Sequence, residues 1–585
     1  MNDKRNLITA ILLSVLILIG WNFIAERFFP APPPPKAAPK TAAATAAPPP
    51  ASGELGAPQT AAPAAAAPAP AAQGPRSLAA ALAEGGRIRI ETPKLKGSLN
   101  TVGARIDDLT LTNYRQSLAK DAPPVRLFAP GGTANAYFAS VGWTATGIAV
   151  PDQQTVWTAT GTVLSPATPV TLSWSNGTGQ TFRIDYAIDK DYLVTAKQTV
   201  SNAAATPVSV ATYAFVNRRG KPTHPEDVDS WTIHNGPIGQ IAGATNYDWD
   251  YDDLDAAPGG MTSFASTGGW IGFTDKYWLA AVIPGAKDRV TKEMKVGAGE
   301  LYQTNFARAP ITVPAGKAIS QTSRIFAGAK EVSVLDDYSE RLGITRLNYA
   351  IDWGWFDFFA KPIFALLDWL FGLVKNFGVA IMMLTLIIRL LMFPIAQRQF
   401  HSMAQMRVVQ PKMKALQDKY KEDKPRMQQE LMKLYKDEKI NPLAGCLPIL
   451  LQIPIFYALY KVLMLTIEMR HQPFVLWIND LSVPDPAMVL NLFGLLDFTP
   501  PAILGIGVLA ILLGITMWVQ FRLNPAPTDP IQQQVFSIMP WMMMFLMAPF
   551  AAGLLLYWIT NNILSIAQQQ WMYRQFPALK AAPAK

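Results

Sequence analysis

The stretch "IMMLTLIIRLLMFPIAQRQF", residues 381 to 400, places a permanent cation, Arg389, inside an otherwise apolar run. Eight residues separate it from Gln397, or about 12 Å along a helix at 1.5 Å per residue. The half-thickness of a bilayer's hydrocarbon is about 15 Å, so Arg389 lies near mid-depth, and snorkelling alone does not bring its guanidinium to bulk water. Insertion at that depth costs about 2.5–3.5 kcal/mol, which something must offset. The apolar segments supply no carboxylate at that depth: Glu468 falls at the far end of its segment and Asp497 outside any. Their neutral polar residues include Thr385, four before Arg389 and on its helix face, with Gln452, Asn561, Asn562 and Ser565. Such an arginine fits a hydrated recess open to one side of the membrane. The alternative is a structural arginine bonded to backbone carbonyls.

Other chemistry is missing. The chain has no GxxxxGK[ST] phosphate loop, HExxH or GxSxG. Its four histidines, His224, His234, His401 and His471, do not cluster at metal-ligand spacing, and its one cysteine, Cys446, allows no disulfide within the chain. The spans lack the carboxylate and histidine relays of a proton-driven pump. These absences argue against catalysis, a cofactor and ATP-driven transport.

The elements that must position Arg389 follow from composition. Half of the 585 residues are hydrophobic and 16% are charged, a balance that suggests membrane spans joined to a soluble part. Residues 1–29 read as a basic end and an N-terminal signal-anchor helix. A cleaved signal peptide is the alternative, but the run is long for one and carries Trp21 and Phe23. Residues 30–78 are a Pro/Ala tether. Residues 79–345 alternate apolar and polar residues between turn signals, as in "TPVTLSWSNGTGQTFRIDYAI", the pattern of one large antiparallel β domain. Residues 346–375 carry aromatics together with Asp352, Asp357, Lys361 and Asp368. They predict an interfacial amphipathic helix rather than a span.

Further spans are predicted over 376–398, 443–467 and 500–521. A region at 533–571, too long for one helix, is broken into two near Pro549 and Gly553. With the anchor, that makes six. Residues 468–499 form a loop whose apolar part is too short to cross. The loop over 399–442 carries about ten Lys and Arg, and the loop from 467 to 486 only Arg470. That asymmetry puts 399–442, the short 522–532 loop, both termini and the 572–585 tail in the cytoplasm, and the β domain outside.

Within 399–442, Met413, Leu416 and Tyr420 form one narrow apolar stripe and Met427, Leu431 and Leu434 another, as in an antiparallel helical pair. Pro425 suits the first turn of the second helix. This hairpin reads either as a charged loop that fixes topology or as a docking arm for cytoplasmic partners such as a ribosome. The methionines of "SIMPWMMMFLMAPF" suit varied apolar partners or simple gap filling.

The motifs "GGWIGFTDKYWLAAVIP", "IIRLLMFP", "MAQMRVVQPKMKALQDKY", "KINPLAGCLPILLQIPIFYALY", "FVLWINDLS", "DPIQQQVFSIMP" and "LYWITNNILSIAQQQ" resemble, in order, the YidC membrane-protein insertase family of Gram-negative bacteria. The resemblance implies an α-helical polytopic membrane protein of the inner membrane: a five-helix insertase core, an N-terminal anchor helix and a large periplasmic all-β supersandwich. It further implies a hydrophilic groove closed on the outside. By motif, Arg389 and Thr385 match the groove, with Gln452, Asn561 and Asn562 beside them. Ile453, Phe456, Tyr557 and Trp558 match an apolar slide for the client. The implied partners are nascent membrane-protein clients, the Sec translocon, a ribosome or targeting factors at the hairpin, and membrane lipids, with no specific nucleic-acid recognition. The Pro/Ala tether, the extra "AMVLNLFGLLDFTPP" and the short, mildly basic tail depart from the simplest family pattern. The β domain resembles sugar-mutarotase sandwiches but lacks an identifiable His and carboxylate constellation, so it reads as a scaffold or partner-binding surface. Two rival functions remain at this stage. One is a small-molecule or lipid transporter using Arg389 to bind an anion, although no internal repeat is seen. The other is an anchored periplasmic chaperone or sugar-binding protein.

Overall fold

The computed structural model describes residues 75–222, 233–354, 356–420, 423–438, 447–493, 495–496, 498, 500, 505–523 and 530–575. The expected anchor, nearly all of the tether and the end of the tail lie outside these residues.

Alternation builds the β domain. Along Gln180–Ile188 every second side chain (Gln180, Phe182, Ile184, Tyr186 and Ile188) is buried, because successive strand residues point to opposite faces. Among the described residues two sheets result, one of 11 strands and one of 9. Val208–Arg219 lies between Tyr137–Ala145 and Leu301–Arg308 in the first. Leu193–Asn202 lies between Gln180–Ile188 and Lys317–Ala329 in the second. Their inner faces meet through contacts such as Trp143 against Phe182, an edge-to-face pair with centroids 5.3 Å apart.

Helices α1 (Leu78–Leu82) and α2 (Tyr251–Ala256) are short appendages of this domain. Helix α3 (Val332–Arg341) follows its last strand, and α4 (Asp357–Val374) leads into the helical core. That core comprises α5 (Phe377–Lys419), α6 (Lys424–Asp437), α7 (Leu447–Leu465), α8 (Val508–Leu523), α9 (Pro530–Met547) and α10 (Ala552–Gln575). Among the described residues, Phe377–Arg398 alone is a helix long and apolar enough to cross a membrane. Gln452–Leu465, Val508–Leu523 and Gln534–Met547 are apolar but shorter. Their outward faces are nonetheless apolar: Met382, Leu386 and Leu390 on α5, and Ile538, Trp541, Met542 and Phe545 on α9, are exposed at helical spacing. Polar residues lie inside, the pattern of a bundle whose solvent is lipid.

Three local features differ from a loop-and-span reading. Helix α5 is continuous through Pro394 and Pro411, so the membrane-crossing segment and the first arm of the hairpin are one helix. Helix α8 begins at Val508 rather than near residue 500. The Asp485 carboxylate accepts from Leu509 N at 2.8 Å and ties that start to the preceding loop. Helix α4 is apolar on more than one side: Ala360, Leu367 and Leu370 are buried, while Phe358, Trp369 and Leu373 are exposed.

The two hairpin stripes meet. Met413, Leu416, Tyr420, Met427, Leu431 and Leu434 are all half-buried, Lys412 pairs with Glu438 at 2.5 Å, and Pro425 sits in the first turn of α6 behind the Asp423 cap. Helices α9 and α10 are separated at residues 548–551. There Gly553 N donates to Leu481 O at 2.9 Å, and a Cβ at Gly553 would meet that oxygen at 3.1 Å.

The β domain docks on the helices through a polar seam. Val332 N donates to Glu468 Oε1 at 3.0 Å, and Arg470 donates to Arg115 O at 2.8 Å. Glu468 Oε2 is buried without a partner, and burial pushes this carboxyl up to about 7.

Candidate functional site

Helix α10 is the hub of the polar interior. Its face bearing Asn561 and Ser565, one turn apart, meets α5 at Arg389. The guanidinium donates from Nε to Asn561 Oδ1 at 2.8 Å, from Nη2 to the Asn561 carbonyl at 3.3 Å, and from Nη2 to Ser565 Oγ. Ser565 in turn donates to the Asn561 carbonyl at 2.6 Å. Every acceptor is neutral, and no carboxylate among the described residues acts on Arg389. The Nη1 amine bonds to none of the described residues and is not sealed in protein.

The energetics are consistent with this arrangement. Hydrogen bonds to a charged group contribute about 1.5–3 kcal/mol each. Two or three of them offset the insertion cost of about 2.5–3.5 kcal/mol. The site therefore holds its cation without neutralising it. A carboxylate would have removed the field that Arg389 presents through Nη1.

The remaining polar residues are distributed around the same helix. Gln452 on α7 donates to Tyr557 Oη at 2.8 Å, and Asn562 donates to Thr516 Oγ1 on α8 at 3.2 Å. Thr385 is buried beside Arg389 on α5, but its hydroxyl donates to Ile381 O of its own helix at 2.6 Å. On the apolar side, Phe456 and Trp558 meet edge to face with centroids 5.0 Å apart. Ile453, 54% exposed, looks outward from α7, whereas Tyr557 is buried.

The structure thus brings Arg389 together with Asn561, Gln452 with Tyr557, and Phe456 with Trp558. It sends Asn562 toward α8 and leaves Ile453 on the periphery. Two partners were not singled out from sequence as site residues. Ser565 was legible from its spacing, four residues after Asn561. Thr516 gave no signal of its own. A third feature, Lys461 on α7, pairs with Asp352 at 2.7 Å and is almost fully buried. Its signal was a lysine inside "FYALYKVLML".

Residues 87–366 match the family model described as the YidC periplasmic domain, and residues 369–580 match that of the 60Kd inner membrane protein. A protein of Zymomonas mobilis named membrane protein insertase YidC is 45% identical over 98% of this chain and 96% of its own. One of Methylorubrum extorquens with the same name is 44% identical over 98% and 96%. A solved structure described as an active YidC insertase with the first transmembrane domain resolved is similar over 83% of this chain and 92% of its own, at 18% identity and a TM-score of 0.34. These relatives are named as insertases, not as enzymes, and the second family model names an inner membrane protein. This chain, a β sandwich joined to a helical membrane core built around Arg389, belongs to the YidC family of membrane protein insertases.

Proposed function

We propose that this insertase acts through the un-neutralised cation at the α5–α10 contact. Arg389, held by Asn561 and Ser565, offers Nη1 to an acidic or polar segment of a client entering from the cytoplasm. Thr385, Gln452, Asn561 and Asn562 form the polar surround that receives it. The client's apolar helix then passes along Ile453, Phe456, Tyr557 and Trp558 into lipid. Burial of apolar surface drives that step at about 25 cal/mol per Å², with no nucleotide hydrolysed. The observation that carries this reading is that the partners of Arg389 among the described residues are all neutral.

In this reading residues 1–29 anchor the chain, the termini and the α5–α6 hairpin face the cytoplasm, and the β domain faces the periplasm. Charge asymmetry supports that orientation. The basic hairpin is the surface suited to a ribosome or targeting factor. The Sec translocon and membrane lipids are the remaining partners.

The test is insertion of single-span clients into vesicles from cells depleted of the native insertase and supplied with variants. For clients with acidic translocated tails, Arg389→Ala lowers insertion about tenfold or more, the loss of one charge-assisted contact. Arg389→Lys retains part of the activity, because it keeps the charge but not the fork. Wild-type insertion of acidic-tailed clients by Arg389→Ala would sink the mechanism.

A further inference from the structure

A second group of cations lies far from Arg389. A cavity of about 450 Å³ opens where one end of the β sandwich meets the helical core, and Arg126, Arg218, Arg219, Lys221 and Arg470 all line it. Among the described residues its one lining carboxylate is Asp275. Four different parts of the fold supply these groups. Arg126 comes from strand Pro124–Phe128, and Arg218 and Arg219 end strand Val208–Arg219. Asp275 begins the turn into strand Trp278–Ile283. Arg470 follows the short helical turn Ile467–Met469 beyond α7.

The cations are not equivalent. Arg218 pairs with Asp275 at 2.7 Å. Arg126 pairs with Asp108, and Lys221 with Asp252 and Asp255. Asp108, Asp252 and Asp255 do not line the cavity. Arg219 forms no ion pair with a described residue, and its Nε is buried without a hydrogen-bond acceptor. Tyr137 and Trp278 add buried aromatic wall to the same cavity.

We infer that this cavity is a binding site for a phosphate group carried on a small polyol, the chemistry shared by a phosphatidylglycerol headgroup and a soluble glycerol phosphate. A planar guanidinium matches phosphate oxygens in a two-pronged geometry, and Arg219 is the one whose donors are not already committed. The volume exceeds what a bare phosphate needs and falls in the range of small-ligand sites. Arg470 comes five residues after α7 ends at Leu465, so the cavity lies within reach of the membrane surface. This inference is independent of the Arg389 mechanism.

The test uses the full-length protein in detergent and in nanodiscs, with glycerol phosphate and inorganic phosphate as soluble probes and phosphatidylglycerol against phosphatidylcholine bilayers as lipid probes. Tryptophan fluorescence reports the cavity through Trp278. Wild type binds glycerol phosphate more tightly than inorganic phosphate if the soluble source is used. It responds only to phosphatidylglycerol bilayers if the lipid is the source. In either case Arg219→Gln weakens the response about tenfold, the loss of one charge-assisted pair, and Arg219→Lys weakens it less. Lys221→Gln, at an amine already paired with Asp252 and Asp255, gives a smaller loss in a protein whose fold is checked by melting. No response from wild type to any probe, or an undiminished response from folded Arg219→Gln, overturns the site.

Discussion

In the β domain Arg87, Arg218 and Arg308 each meet a carboxylate: Asp107 at 2.8 Å, Asp275 at 2.7 Å and Asp288 at 2.7 Å. In the helical core Arg389 meets an amide oxygen, a carbonyl and a hydroxyl. Lys461 marks the border. It lies on α7 near the β domain, and it takes the carboxylate Asp352. The difference separates two uses of a buried charge. A neutralised pair fixes geometry and projects little field. A cation satisfied only by dipoles keeps its field and can act on something that arrives later.

The largest effects come from breaking this contrast directly. Arg218→Met leaves Asp275 buried without its partner, and uncompensated buried charges cost about 3–5 kcal/mol. A large fall in melting temperature of the full-length protein is the expected reading. Arg389→Met removes three bonds but also removes the cost of burying the cation. Its stability change is therefore expected to stay within about 1 kcal/mol, while insertion of acidic-tailed clients falls. A melting loss for Arg389→Met as large as that for Arg218→Met would place Arg389 among the structural cations and erase the distinction.

Lys292 sharpens the comparison from inside the β domain. It is fully buried, yet its Nζ donates to Gln240 O and Ser266 Oγ, both neutral. Burial pulls its pKa from 10.5 down to about 7, so this amine can shed its proton, a route closed to Arg389. Between pH 7 and 10.5 the unfolded chain holds a proton on Lys292 that the folded chain has released. The contribution of Lys292 to stability therefore rises through that window, by at most about 1.4 kcal/mol per pH unit. Lys292→Met loses this limb. The stability of wild type relative to the variant should rise as pH increases above 7. Parallel melting profiles from neutral to alkaline pH would show that Lys292 keeps its proton.

Much of this was legible in sequence because it is periodic or local. Alternation gave the strands of the sandwich, and three-four spacing gave the stripes of the hairpin. The depth of Arg389 and the lack of a carboxylate at that level followed from counting residues along one helix. What resisted reading was pairing across long stretches of chain. Lys461 and Asp352 are 109 residues apart, and Arg389 finds Asn561 172 residues away. Pro394 does not stop α5. Membrane helices tolerate proline where neighbours satisfy the freed carbonyls, so α5 runs on into the hairpin.

The smallest effect tests whether charge or polarity matters at the hub. Tyr557→Phe deletes the hydroxyl that accepts from Gln452 at 2.8 Å and keeps the ring in place. One neutral hydrogen bond is worth about 1 kcal/mol, so stability should drop by about that much. Arg389 keeps Asn561 and Ser565, and Phe456 keeps its edge contact with Trp558. Insertion of acidic-tailed clients should therefore remain near wild type, measured in the same vesicles as Arg389→Ala. If Tyr557→Phe instead failed as badly as Arg389→Ala, recognition would belong to the neutral polar cluster as a whole. The contrast between paired and unpaired cations would then explain how the two regions are held together, but not how clients are received.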